Sequence, residues 1–502
     1  MRCTMWAGSI VGICRSAVGC QVLRWRLTFL RKVLTSNESL GVGMLSWEKL
    51  LSSTRRKDLT GTQSTLGAGA GREEIERDYD RILFSAPTRR LADKTQVFPM
   101  EEHDSVRTRL THSHEVSNLA RSIGVRLAFE HAETVFGANH EKLRVKRCIP
   151  ALLAAVGLAH DLGNPPFGHQ GEASMQNWFS TRHKPSGQHG SQIKVEDDFL
   201  GFDGNAQTFR LLTRLQILND DFGLNLTVAT LAALIKYPAI YGHEKFGYKK
   251  WGIFHSEENI AREVWAHTGL GEGVRHPLTV IMEACDDIAY SVIDAEDTVK
   301  KGYASFYDLM DFIESETNDD VSSRIVAKAR GENVDFKKED LSSRELNDVS
   351  MQIFRAIAIS QMVQAVTEVF VGNIERVMSG QPDPTFELIK ESSCASFCKA
   401  VKKFDSRHGF QHRDVLRLEL QGHNYIQSMM DMLWSSVQSS DDAEPFAKYV
   451  YGTISENYRR VYEASRKDDY AKRQLVCDAI SGMTESYLLK RHGVLKSLEN
   501  VE

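Results

Sequence analysis

An adjacent histidine and aspartate, His160 and Asp161, close the apolar run Val156-Gly157-Leu158-Ala159 just before Asn164-Pro165-Pro166. Prolines end a helix, so the pair emerges where the chain leaves it. A carboxylate buried against an imidazole is costly unless a metal ion or strong hydrogen bonds compensate, and a metal is the economical explanation. Taken alone, a His-Asp dipeptide reads more readily as a solvated helix end. Its company changes the balance. His112 opens a segment in which Val116, Leu119, Ala120, Ile123 and Leu127 recur at helical spacing. Farther on, Pro277 suits the first turn of another helix with a core stripe of Leu278, Ile281, Met282, Cys285, Ile288, Ala289 and Val292. On its other face Asp286, Tyr290 and Asp294 recur every fourth residue as a polar row. His112, His160, Asp161 and Asp286 together offer two imidazoles and two carboxylates. This mixed N/O set suits Mn²⁺, Fe²⁺, Mg²⁺ or Zn²⁺ better than a thiolate-preferring metal.

The order of a histidine, a His-Asp pair and an aspartate on separate helices resembles the HD-domain metal phosphohydrolases. Among them, the segments from Arg107 to Ser113, from His160 to Glu172 and from Asp286 to Tyr290 are similar to the bacterial dGTP triphosphohydrolases. The similarity runs from about Arg72 to the C-terminus. It takes in Arg89 to Val97, Phe202-Asp-Gly-Asn-Ala-Gln207, Lys236-Tyr-Pro and Ile480-Ser-Gly-Met-Thr484. Asp203 stands where that pattern has glutamate, which leaves the charge unchanged. The resemblance assigns the metal to His112, His160, Asp161 and Asp286, and leaves His114 as an exposed or supporting neighbour.

It also implies an acid/base dyad of His169 and Glu172, whose spacing of three lets both face one cavity on a helix. Read without the resemblance, they are a loop histidine and a carboxylate at a helix N-terminus. Arg109 is a phosphate ligand in this reading, since a guanidinium donates two parallel hydrogen bonds, and a surface ion pair otherwise. Tyr290 packs on the deoxyribose where a 2′-hydroxyl would clash, or is ordinary core. Asp294 and Gln96 bind the 3′-hydroxyl. Lys236, Asn205 and Gln207 reach the triphosphate or its supporting loops, with Asn205 alternatively a helix cap.

The activity so implied is hydrolysis of dGTP to deoxyguanosine and inorganic triphosphate, by water attack at the α-phosphorus, in control of the deoxynucleotide pool. Mn²⁺ or Mg²⁺ is the first expectation for the metal, with Fe²⁺, Co²⁺ or Zn²⁺ behind. The resemblance also implies a homo-oligomer, a hexamer among the options, and regulation by single-stranded DNA or nucleotides. Two rival readings stand beside it. One is another HD phosphohydrolase: a broad dNTPase, a 5′-nucleotidase or a phosphodiesterase. The other is a regulator that binds nucleotides or single-stranded DNA. Base selection depends on loop-built pocket walls and is not legible here.

A chain of 502 residues, 42% hydrophobic, buries a large core, and its 11 prolines and long helical periodicity predict an all-α fold. An HD-type helical core with additional helices then forms one large globular unit. A net charge of −5 excludes wholesale coating of nucleic acid, so local cations such as Arg107, Arg109 and Lys236 must hold an anionic substrate. Eight scattered cysteines make no disulfide framework and point to the cytoplasm; Cys394 and Cys398, one turn apart, share a helix face.

Residues 1–43 carry Arg2, Arg15, Arg24, Arg26, Arg31 and Lys32 with no acid before Glu38. Their apolar run from Trp6 to Cys14 is too short to span a membrane, and Arg15 interrupts a secretory core. The expectation is an untranslated or disordered extension, with the working protein starting at Met44. Residues 44–71 form an N-terminal segment ending in a flexible loop from Gly61 to Gly71. Residues 72–310 hold the catalytic core, and residues 311–502 are helices completing the pocket and oligomer contacts. No membrane partner is expected. Lys184 to Gly190 and Asn318 to Ser343 read as polar loops, Glu345 to Val377 and Asp414 to Ser435 as helices, and Ser439 to Glu444 as the break between late helices.

Overall fold

A computed structural model describes residues 43–61, 71–100, 105–182, 195–216, 220–243, 245–439 and 444–499. The extension over residues 1–42, the interior of the 61–71 loop and the 184–190 loop lie outside these. Among the described residues the regular elements are helices, joined by isolated bridges such as Thr95 with Thr108. The all-α expectation holds.

The Arg109–Glu130 and Val145–Ala159 helices form the central pair. Val116, Ala120, Ile123 and Leu127 interleave with Ile149, Leu152, Leu153 and Val156, all fully buried. A glycine sets how closely the helices approach. A Cβ on Gly157 would stand 2.8 Å from the Ser117 Cα, so any larger residue pushes the backbones apart. Ser117 Oγ donates to the Ala154 carbonyl at 2.8 Å and pins the crossing. The Thr279–Ile288 helix lies across both, with Leu278, Ile281, Met282, Cys285 and Ile288 inside; it starts two residues beyond Pro277.

That helix does not continue as regular α-helix. A π-helical turn, Ala289–Ile293, intervenes before the Asp294–Lys300 helix, and a second, Asp405–Phe410, follows the Ala395–Phe404 helix. Wide turns of this kind recur at functional sites. The polar row of Asp286, Tyr290 and Asp294 is therefore not a simple helical stripe.

The Asn318 to Ser343 stretch is largely a helix, Asp320–Phe336, rather than a loop. Asp319 caps it, accepting the Ser322 N–H, and Ile325, Val326 and Ala329 supply a narrow buried stripe. Three buried apolar residues suffice because the neighbouring Ser343–Gly372 helix covers them. By length and hydropathy (1.2) that 30-residue helix could cross a membrane. Here Met351, Phe354, Met362 and Phe370 bury it in the common core. This core is continuous from Leu45 to Leu495 and draws on both sides of the expected division at residue 310. A satellite cluster, Val97, Phe98, Val106 and Val415 with Tyr303 and Phe410, lies apart from it.

Candidate active site

His112 lies in the first turn of the Arg109–Glu130 helix, and His160 caps the end of the Val145–Ala159 helix. The close crossing of these helices brings the two rings to 5.4 Å between centroids. His112 Nε2 stands 3.2 Å from Asp286 Oδ1, while His160 Nε2 stands 3.4 Å from Asp161 Oδ2 and 3.6 Å from Asp286 Oδ1. His160 Nδ1–H donates to the Gly157 carbonyl at 2.7 Å. That bond fixes the tautomer and leaves Nε2 buried, facing the carboxylates and without a hydrogen-bond partner among the described residues. Ligand atoms of His112, His160 and Asp161 fall within 4.8 Å of one another. Two nitrogens and two carboxylate oxygens fit a divalent ion of intermediate hardness.

The electrostatics agree. Burial works against charge on Asp161 and Asp286, but Arg109 beside the first and the two histidines beside the second outweigh it and hold both carboxyls well below their ordinary range. Burial likewise disfavours a charged His160, yet Asp161 and Asp286 raise it to about 9. The carboxylates thus retain a cation at this point, and a metal ion competes with that proton.

The chain turns through Phe167 (φ 63°) and Gly168 (φ 53°) into the Gly168–Arg182 helix, which presents His169 and Glu172. A Cβ on Gly168 would stand 2.7 Å from Arg109 Nη2, so glycine serves both the left-handed turn and the guanidinium behind it. His169 Nδ1 and Glu172 Oε2 are 3.0 Å apart. The Glu172 hydrogen bond raises the His169 pKa.

Residues 109–195 match the HD domain and residues 390–493 the phosphohydrolase-associated domain. A deoxyguanosinetriphosphate triphosphohydrolase-like protein of Listeria monocytogenes is 33% identical over 464 residues, covering 88% of this chain and 97% of that protein. Its counterpart in Synechocystis is 32% identical over 463 residues, with coverage of 88% and 97%. A deoxyguanosinetriphosphate triphosphohydrolase of Yersinia pestis is 30% identical over 494 residues, covering 85% and 94%. The chain belongs to the dGTP triphosphohydrolase family of HD-domain proteins. HD-domain membership makes it a divalent-metal-dependent phosphohydrolase.

Around this HD centre the remaining candidates divide. Arg109, buried, pairs through Nη1 with Asp161 Oδ2 and donates from Nε to the Thr95 carbonyl at 2.9 Å, so it braces the Asp161 carboxylate. Asn164 Nδ2 holds the other Asp161 oxygen at 2.9 Å. Arg107 is not available to an anion: it is locked to Glu115, Glu296 and Asp297. Lys236 Nζ lies 3.8 Å from Asp286 Oδ2, and although burial opposes its charge, Asp286 and Glu283 hold the ammonium well above its ordinary value.

Tyr290 packs on Phe410 at 5.6 Å between centroids, with Lys402 Nζ 5.7 Å from its ring. Asp294 is buried with neither carboxylate oxygen hydrogen-bonded among the described residues, and burial together with Asp297 pushes its pKa well above the ordinary range. Gln96, half-buried, keeps an Oε1 without a hydrogen-bond partner among the described residues. Asn205 is not the cap of its helix. Asp203 is, accepting the Asn205 N–H at 2.8 Å and the Asn205 amide at 2.7 Å. Gln207 points inward and donates to Asp478 at 3.0 Å, beside the Arg210–Asp478 pair, so its amide is turned away from the His160 and Asp286 cluster.

Two cations escaped sequence reading. Lys250 Nζ bonds Asp203 Oδ2 at 2.5 Å and lies 3.9 Å from Glu172 Oε2, and Lys402 bonds Asp287 Oδ1 at 2.5 Å. Neither sits in a periodic or motif-like context. Only their acidic partners, adjacent in space, single them out.

Proposed function

We propose that the protein hydrolyses dGTP to deoxyguanosine and inorganic triphosphate, and that His112, His160, Asp161 and Asp286 hold the divalent ion. One observation carries the reading: His112, His160 and Asp161 converge, with Asp286 beside both histidines, in a chain whose relatives include a named dGTP triphosphohydrolase. When bound, the ion polarises the α-phosphate and lowers the pKa of the attacking water. The donor set supports Mn²⁺ or Mg²⁺.

The new bond joins the water oxygen to the α-phosphorus as the bond to the 5′-oxygen breaks. The water loses a proton and the 5′-oxygen gains one. His169, oriented by Glu172, moves protons between these reacting oxygens. Arg109 keeps Asp161 aligned and turns its remaining N–H groups to phosphate; Lys236 and Asn205 support the triphosphate side. Tyr290 covers the sugar, and Asp294 with Gln96 binds the 3′-hydroxyl. The unpartnered oxygens of Asp294 and Gln96 support that part, since a buried acceptor without a partner is costly until a ligand donates to it. The physiological role is control of the deoxynucleotide pool in the cytoplasm, a compartment supported by five buried free cysteines among the described residues.

The test is a screen of all four dNTPs with Mn²⁺ or Mg²⁺ and identification of both products. Deoxyguanosine with intact triphosphate is expected from dGTP. Monophosphate with pyrophosphate, or phosphate alone, overturns the cleavage position.

A further inference from the structure

Glu485, the first residue of the Glu485–Glu499 helix, is buried and remote in sequence from His112, His160, Asp161, His169 and Asp286. Its side chain turns under the site. Oε1 accepts the Thr95 N–H at 2.7 Å and the Phe167 N–H at 3.0 Å, and Oε2 accepts the Met100 N–H at 3.3 Å. Each of the two closer bonds leads to the chemistry. The Thr95 carbonyl receives Arg109 Nε, and Arg109 braces Asp161. Phe167 lies two residues before His169 in the left-handed turn that launches the dyad helix.

A companion contact runs beside it. Lys94 Nζ, also buried, donates to the Asn164 carbonyl at 2.5 Å and the Ser481 carbonyl at 2.7 Å, tying the turn after Asp161 to the end of the preceding late helix. The Phe167 ring leaves no space beyond Gly422, where a Cβ would stand 2.6 Å from it. The late helices thus clamp the turn from two sides, and Glu485 supplies the polar half of the clamp.

We infer that Glu485 is a positioning residue. One buried carboxylate accepts both the Thr95 and Phe167 N–H groups and so keeps the Arg109–Asp161 arm and the His169 arm in a single frame. A carboxylate suits this place because one oxygen takes two backbone N–H groups at once, and bonds to an ionised acceptor are stronger than neutral ones. This rests on the proposed role of His169 in proton transfer.

Glu485→Asp keeps the charge but retracts the oxygens; Glu485→Gln keeps an amide oxygen at full reach for Thr95 and Phe167. Both are measured alone and with His169→Ala, using the phosphate ester or anhydride that the Mn²⁺-loaded wild type turns over fastest, alongside direct titration of Mn²⁺ affinity. The inference expects Glu485→Asp to lower kcat on the order of 10²-fold, the scale of a 1 Å misplacement. Glu485→Gln should fall less, and Glu485→Asp should cost clearly less once His169 is gone, the residual loss and any weakening of Mn²⁺ binding belonging to the Arg109–Asp161 arm. Equal losses with and without His169, or a glutamine variant as poor as the aspartate one, overturn it. A normal cycle on a substrate other than dGTP overturns only the substrate reading, and no turnover of any phosphate substrate by the wild type overturns both.

Discussion

Glu172 grips His169 from a fixed seat: Oε2 lies 3.0 Å from His169 Nδ1 while Oε1 accepts the Gly204 N–H at 2.7 Å. The carboxylate is buried and the imidazole largely exposed, with 73% of its side chain accessible. The buried partner therefore determines the direction of the exposed ring, which is the arrangement a proton-transfer group needs.

Glu172→Gln removes the group that raises the His169 pKa. The limb of the kcat/KM pH profile that belongs to His169 should move to lower pH, with a lower plateau. An unshifted profile would mean that another group titrates in that limb.

Metal binding and proton transfer should separate by mutation. His160→Ala and Asp161→Ala are expected to lose bound metal and turnover together, while His169→Ala keeps metal and loses on the order of 10²–10⁴ in rate. Metal content of the purified proteins decides. A His169 variant without metal makes that residue a ligand.

Tyr290 tests the sugar reading. It follows Asp286 in the π-helical turn Ala289–Ile293, before Asp294, and its ring is only half-buried. With competing dGTP and GTP, the wild type should strongly prefer dGTP, and Tyr290→Ala should narrow the preference while lowering turnover. An unchanged ratio would reduce the ring to a packing partner of Phe410.

His276 makes folding acid-sensitive. It is fully buried and neutral, its Nε2–H donating to the Leu50 carbonyl at 3.2 Å and its Nδ1 accepting the Leu278 N–H at 3.1 Å. Burial lowers its pKa to about 4. Between pH 6.5 and 4 the unfolded chain binds a proton that the native state does not, so stability falls as pH drops through that window. The contribution is about 3 kcal/mol when complete. Tm measured from pH 7 to pH 4.5 should fall more steeply for the wild type than for His276→Asn; parallel slopes would exclude it.

What the sequence determined was chemistry tied to local pattern. Val116 to Leu127 and Leu278 to Ile288 announced buried helices because a 3.6-residue period survives in the order of residues, and His112, His160, Asp161 and Asp286 stood at defined places on those helices. His169 and Glu172, three apart, needed only a helix to meet. Tertiary structure decided the rest, because the deciding partners are distant in the chain. Arg107 reads as a free cation until Glu296 and Asp297 arrive beside it, and Gln207 reads as a substrate contact until Asp478 takes its amide. Asn205 looks like a cap until Asp203 is seen in that role. The helix over Asp320–Phe336 was hidden because its three apolar anchors are too few without the long helix that covers them. The π-helical turns, which put Asp294 in a buried place without a hydrogen-bond partner, leave no trace in a helical period. Which oxygen meets which hydrogen is a property of packing, and packing is not local.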